Sequence, residues 1–183
     1  IILAGEYYER TGNLSFIEGI WQNIEQAMIW IDQYGNCDGD GFIKYPRRPG
    51  DGLLQQGWKD SDDSVMHQNG TQAVGPIALC EAQGYVYKAK LTMAGLARLL
   101  NGNERASELE NEAQTLKEQF NQVFWCENLA TFALALDGQM QPCLVKSSNA
   151  GHLFFTGIIN DEYAPRVADT LFSSTSFSGW GIR

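Results

Sequence analysis

The sequence predicts an all-α protein, an (α/α) toroid of helical hairpins with minor β structure, on three observations. Apolar residues recur at three- and four-residue steps along most of the chain. A stretch rich in small and aromatic residues and poor in charge precedes a charged, one-sided stretch, so a buried helix is followed by a surface helix. Short and long loops join such pairs.

Residues 1–10 read as the end of a helix stopped by Thr11-Gly12-Asn13. Phe16, Ile17, Ile20, Trp21, Ile24, Ala27, Met28 and Ile31 then place an amphipathic helix over 15–34, ended by Gly35. Ser15 or Asn13 starts it, with Glu18 completing a capping box from Ser15. From Gly35 to Gln56 the glycines and prolines are too dense for a helix or a central strand. A loop this long inside a domain is usually functional. A buried helix is expected over 76–100 and a surface helix over 103–124, with Leu109, Ala113, Leu116, Phe120 and Phe124 on one face. A short strand is expected within 131–138, and further helices over 150–158 and 161–172. About six helices result, roughly half of a six-hairpin barrel.

Composition narrows the function. The chain has 183 residues, enough for one domain with a core. A hydrophobic fraction of 44% argues against disorder. A net charge of −9, with two His and 13 Lys+Arg, disfavours nucleic acid and anionic membrane surfaces, since both need a basic face. No apolar run approaches the roughly 20 residues of a membrane helix. The chain opens Ile1-Ile2-Leu3-Ala4-Gly5-Glu6 and stops at Gly179-Trp180-Gly181-Ile182-Arg183 without a cap or polar tail. The expectation is therefore a partial domain over 1–183, truncated at both ends. Cysteines at 37, 80, 126 and 143 form no CxxC, so a structural zinc site and a disulfide framework are not expected. A cytoplasmic location follows, with Cys80 a buried thiol.

The densest chemical cluster is Gly57-Trp58-Lys59-Asp60-Ser61-Asp62-Asp63-Ser64. An aromatic face stacks on a pyranose, carboxylates bind hydroxyls, and one carboxylic acid protonates a glycosidic oxygen. Ser and Asp also cap helices. From spacing alone, capping of the next helix is the better reading of 60–64, and the two roles are compatible. Glu81 stands in an otherwise apolar run and shares a helix face with Tyr85. An unpartnered buried carboxylate is costly. Glu81 should therefore face a polar cavity, a cation or a ligand, unless it pairs with Lys88 or Lys90. His152 alone reads more readily as structural than as catalytic. No HExxH, GxGxxG, GxSxG or P-loop occurs. Asn36-Cys37-Asp38-Gly39-Asp40-Gly41-Phe42-Ile43 imitates the front of a calcium loop, but Arg47 holds the twelfth position, which excludes an EF-hand. An Asp-Gly turn is the favoured reading, and a calcium site completed by a distant carboxylate stays open. No other metal or cofactor is expected.

Five segments together resemble the bacterial amylo-α-1,6-glucosidase, or glycogen-debranching-like, family. They are Asp38 to Tyr45; Gly52 to Ser61; Glu81-Ala82-Gln83-Gly84-Tyr85-Val86-Tyr87; Ser148-Asn149-Ala150-Gly151-His152-Leu153; and Gly179 to Arg183. They run in family order. The resemblance implies an (α/α)₆ six-hairpin barrel and an inverting glycoside hydrolase of α-1,6 bonds in glycogen-like or oligosaccharide substrates. It implies Asp60 as general acid and Trp58 and Lys59 lining the subsite for the terminal glucose. It places Tyr45, Glu81, Gln83 and His152 around the same pocket. Gln55 and Asp62 depart from the expected Asn and Gly. The catalytic base is expected beyond residue 183, which would leave the isolated fragment inactive. Two alternatives remain: an (α/α)-barrel sugar isomerase or epimerase, which would use histidines, and a non-catalytic carbohydrate-binding helical module.

Overall fold

The computed structural model describes residues 1–36, 38–46 and 52–182. Six α-helices dominate them: α1 (Ile2–Thr11), α2 (Leu14–Trp30), α3 (Cys80–Leu99), α4 (Asn103–Val123), α5 (His152–Thr156) and α6 (Ala164–Phe172). Four two-residue strands accompany them. β1 (Ala78–Leu79) pairs antiparallel with β4 (Ala135–Leu136), and β2 (Trp125–Cys126) pairs antiparallel with β3 (Thr131–Phe132).

Local chemistry explains the boundaries. Gly12 ends α1 in the left-handed region at φ 62°, its N–H returning to Tyr8. Asn13, not Ser15, caps α2: its Oδ1 accepts from the Phe16 N–H at 3.1 Å, and the Ser15 hydroxyl donates to the same oxygen. The Ser15–Glu18 capping box is therefore not used. α2 gives way at Ile31–Gly35 to a wider π turn rather than running to residue 34.

The buried helix expected from residue 76 begins at Cys80 instead. Ile77, Ala78 and Leu79 are extended and paired, Ile77 to Tyr45 and the other two to β4. A short apolar run is equally compatible with a strand, and cross-strand partners decided it here. The single strand expected within 131–138 is two strands, each with a different partner. The helix expected over 150–158 is a 3₁₀ turn at Ser148–Gly151 followed by α5.

α3 is the central element and packs on α1, α2, α4 and α5. Its apolar residues join two clusters. One holds Ile17, Ile24, Met28, Met93 and Leu109. The other centres on Phe120, Phe124, Phe132, Leu136 and Leu153. In it Phe120 stacks on Phe124 and Phe132, with centroids 4.7 and 5.0 Å apart. A β-carbon at Gly84 would lie 2.8 Å from Thr156 Oγ1, so only glycine lets α5 press this closely on α3. Asn121 fixes the chain beyond α5: its amide donates to Ile158 O, and its oxygen accepts from Asn160 N.

α6 is tied back by Arg166, whose guanidinium donates to both Glu127 oxygens at 2.6 and 3.0 Å and lies over the Trp125 ring. Among the described residues no helix is long and apolar enough to cross a membrane.

Two outcomes are expected. Phe120→Ala should destabilise the fold by about 3–5 kcal/mol, since it removes a fully buried ring with two stacking partners. Urea unfolding reads this directly. Hydrogen bonds from Arg166 and then Trp125 hold the Glu127 carboxyl down from 4.5 to about 2. Its contribution to stability is therefore present above 4.5 and lost as pH falls through about 2. Carboxyl-detected NMR titration should show Glu127 ionised through pH 4, and Arg166→Gln should return its midpoint towards 4.5.

Candidate functional site

The segment 57–64 does not cap a helix. Ser64 closes a turn, its hydroxyl donating to Lys59 O at 2.7 Å and its N–H to Ser61 O. The chain then forms a narrow antiparallel excursion in which Ala73 N donates to Val65 O and Met66 bridges Gln72. Val65, Ala73 and Ile77 are buried in a third apolar cluster. The next helix is α3, at Cys80. Asp60, Asp62 and Asp63 are thus exposed turn residues, and the capping reading of 60–64 is corrected. The same residue types favour caps and turns because their short side chains bond nearby backbone N–H groups in both.

Trp58 projects from this turn with its indole half exposed. A β-carbon at Gly57 would collide with Leu79, so glycine lets the turn lie directly on the start of α3. The Trp58 ring is tilted over His152, centroids 5.4 Å apart, and Lys59 Nζ lies 5.3 Å from its centroid. Lys59 Nζ also donates to Ser148 Oγ at 3.0 Å. The turn is thereby fastened to the 3₁₀ turn before α5.

Two clefts share the Trp58 wall. The larger, about 870 Å³, is lined among others by Trp30, Tyr34, Tyr45, Leu79, Glu81 and Tyr85. The smaller, about 700 Å³, is lined by Lys59, Asp60, Asp63, Lys146, Ser147 and Asn149 among others. Asp60 and Glu81 therefore line different clefts, and Trp58 borders both. Aromatic walls with convergent polar groups suit a sugar, whose ring faces are apolar and whose edges are hydroxylated.

Glu81 is buried, only 3% exposed. Its Oε1 accepts from Asn149 Nδ2 at 2.8 Å, and Oε2 from the Cys80 thiol at 3.5 Å. The pairing with Lys88 or Lys90 considered from sequence does not occur. Lys90 instead donates to Asp32 and Glu112, at 2.8 and 2.5 Å. Full burial and then the adjacent Glu81 charge hold the Cys80 thiol well above its usual range, so it is a packed, protonated group. Tyr45 donates to Gln55 Oε1 at 2.6 Å, and burial pushes its hydroxyl up to about 12. Gln55 is buried and is thus the residue that orients Tyr45 at the cleft.

Of the predicted pocket residues, His152 lines neither cleft, and nor does Gln83. Gln83 is fully buried and clamps the preceding loop. Its oxygen accepts from Ile43 N, and its amide donates to Ile43 O and Leu79 O, all within 2.8–3.0 Å. His152 is joined to the site through Trp58 and through a 2.6 Å hydrogen bond between its Nδ1 and the Tyr85 hydroxyl. Tyr85, Ser148 and Asn149 contact His152, Lys59 and Glu81 respectively; the sequence placed them in the segments that carry the resemblance without giving them a pocket role. The Glu81–Tyr85 spacing of four was the available signal for one of them.

The calcium-like loop closes on an internal cation. Lys44 Nζ donates to Asp38 at 2.7 Å and to Asp40 at 2.5 Å, and lies 3.4 Å from Met140 Sδ. Its hydrogen bond holds the Asp38 carboxyl below the usual range. Burial disfavours the ammonium, but the bonds to Asp38 and Asp40 outweigh it and keep the lysine charged. A calcium ion would have to displace Lys44 to use these carboxylates. Cys37 and Arg47 lie outside the described residues. Among the described residues no group of three or more His, Cys, Asp or Glu side chains is placed to hold a metal ion. Cys80, Cys126 and Cys143 are free thiols. The second histidine, His67, faces Asp137 at 3.3 Å and touches neither cleft.

Comparison with known proteins gives the fold its family. No curated protein matches the chain. Among solved structures, a GH78 family rhamnosidase of Bacillus sp. GL1 superposes with a TM-score of 0.71 at 18% identity. The match covers 94% of this chain and 17% of that one, so the chain spans under a fifth of that enzyme. The likeness is one of fold: a largely helical six-hairpin toroid, as the alternation of inner and outer helices predicts. A model of the bacterial alpha-L-rhamnosidase six-hairpin glycosidase domain matches residues 1–177, and the chain belongs to that family.

Proposed function

We propose that this chain carries the proton-donor side of a glycoside hydrolase active site within an (α/α)₆ barrel. The observation that carries the reading is the shared Trp58 wall, with Lys59 and Asp60 lining one of the clefts it borders and Tyr45 and Glu81 the other. Each cleft that the indole borders holds a carboxyl group, Asp60 in one and Glu81 in the other. Asp60, on a turn reachable from solvent, protonates the departing glycosidic oxygen. Glu81, buried and accepting from Asn149, binds a sugar hydroxyl. A second carboxylate, beyond residue 183, activates the water of an inverting displacement.

The bond proposed is an α-glucosidic one, α-1,6 for preference. It rests on the five ordered segments that resemble amylo-α-1,6-glucosidases. A second reading is an α-L-rhamnoside, favoured by the family description and by the rhamnosidase named above. The two sugars differ at C6, where glucose has a hydroxyl and rhamnose a methyl.

Assays of the full-length protein on isomaltose, panose, branched limit dextrin and an aryl α-L-rhamnoside decide between them. Glucose release is the expected outcome, and rhamnose release alone would replace the first reading by the second. Asp60→Asn should lower kcat by about 10²–10⁴-fold, the range general acid catalysis supplies, with the far-ultraviolet spectrum unchanged. A folded Asp60→Asn protein of full activity would remove Asp60 from the acid role.

A further inference from the structure

Tyr85 and His152 form a contact that the reaction scheme above does not use. Tyr85 lies one turn along α3 from Glu81, and His152 is the first residue of α5. Their rings meet nearly edge to face, at 87°, with centroids 5.9 Å apart. The phenol oxygen and imidazole Nδ1 are 2.6 Å apart. The close approach of α5 to α3 at Gly84 and Thr156 fixes the spacing of the two side chains.

Which atom donates decides what the other face of the imidazole offers. The sp² nitrogen of a neutral imidazole is a far better acceptor than a phenol oxygen, and a phenol is a good donor. Burial, and then the Glu81 charge, hold the Tyr85 hydroxyl above its usual range, so its proton is present to be donated. A ring that accepts at Nδ1 must carry its own proton at Nε2. Among the described residues His152 Nε2 makes no hydrogen bond, and the ring leans against the Trp58 indole.

We propose that Tyr85 is a positioning residue that holds His152 as the Nε2–H tautomer, and so sets a neutral hydrogen-bond donor beside Trp58 for a sugar hydroxyl. The tautomer rests on the Tyr85–His152 contact and on the donor and acceptor strengths of the two groups; its use by a sugar rests on the glycosidase reading. Glu81 is an acceptor and His152 Nε2–H a donor. A saccharide laid on Trp58 therefore meets both polarities, as hydroxyls that donate and accept require.

Nitrogen-15 NMR of the sugar-free chain at neutral pH tests the first half. The His67→Gln variant leaves one histidine to observe. The expected spectrum has a protonated Nε2 and a hydrogen-bonded, unprotonated Nδ1. In Tyr85→Phe, which keeps the ring and loses the hydroxyl, the Nδ1 signal should move to its unbonded position and both tautomers should appear. A wild-type Nδ1–H tautomer would overturn the proposal without any variant. So would an unchanged ratio in a folded Tyr85→Phe chain. Titration with D-glucose and, separately, L-rhamnose tests the second half: either sugar should shift the Nε2 resonance. No shift with the tautomer intact would remove the sugar contact. Loss of glycosidase activity elsewhere leaves the tautomer result untouched.

Discussion

The burial of α3 on nearly every side is the constraint from which the site follows. A polar side chain on the buried faces of such a helix cannot reach water freely, so it must find a partner on whatever packs against it. α3 carries Glu81, Gln83, Tyr85 and Lys90 along its length. Glu81 takes Asn149, Gln83 takes the backbone of Ile43, Tyr85 takes His152, and Lys90 takes Asp32 and Glu112. Four polar side chains thereby fasten α4 and three segments distant in sequence: the π turn after α2, the loop carrying Tyr45, and the start of α5. The cleft walls are drawn from these segments and from the turn of Trp58. The same satisfaction that makes α3 tolerable inside the fold assembles the residues around the indole.

Helical periodicity made most of this architecture legible in the sequence. α2, α4 and α6 have one apolar face each, and α3 announced its burial by small residues and few charges. What escaped is of one kind: a local pattern compatible with two structures, settled by a partner distant in the chain. Ile77-Ala78-Leu79 is apolar enough for either helix or strand, and Tyr45 with Ala135 and Leu136 made it extended. Ser61-Asp62-Asp63 suits a cap or a turn, and the packing of Val65 and Ala73 made it a turn. Asn36 to Ile43 suits a calcium loop, and the cation supplied is Lys44, the next residue along. The site residues divide the same way. Trp58, Lys59 and Glu81 were visible as chemistry in an unusual setting. Gln83 looked like a pocket residue because a buried amide and a ligand-binding amide have the same sequence context. Asn149 stood in a segment that carries the resemblance but was given no role, since its role exists only opposite Glu81.

That last pair also explains an oddity. Asn149 Oδ1 is buried and, among the described residues, has no hydrogen-bond partner. An unmade bond to a neutral buried acceptor costs about 1–3 kcal/mol. Turning the amide over would move this oxygen against the Glu81 carboxylate and take away the 2.8 Å N–H donor. A hydrogen bond to a charged group is itself worth about 1.5–3 kcal/mol, and a carboxylate stripped of its donor in the interior costs more again. The charged partner therefore dictates the orientation, and the neutral oxygen is left unpaired. Among the described residues Glu81 forms no salt bridge, and its one hydrogen bond under 3 Å comes from this amide. The orphaned oxygen is the cost of keeping a carboxylate in the wall of an aromatic cleft, and such a cost is hard to account for at a position that only packs. It is the strongest physical support for the proposal that Glu81, alongside the more exposed Asp60, meets the sugar.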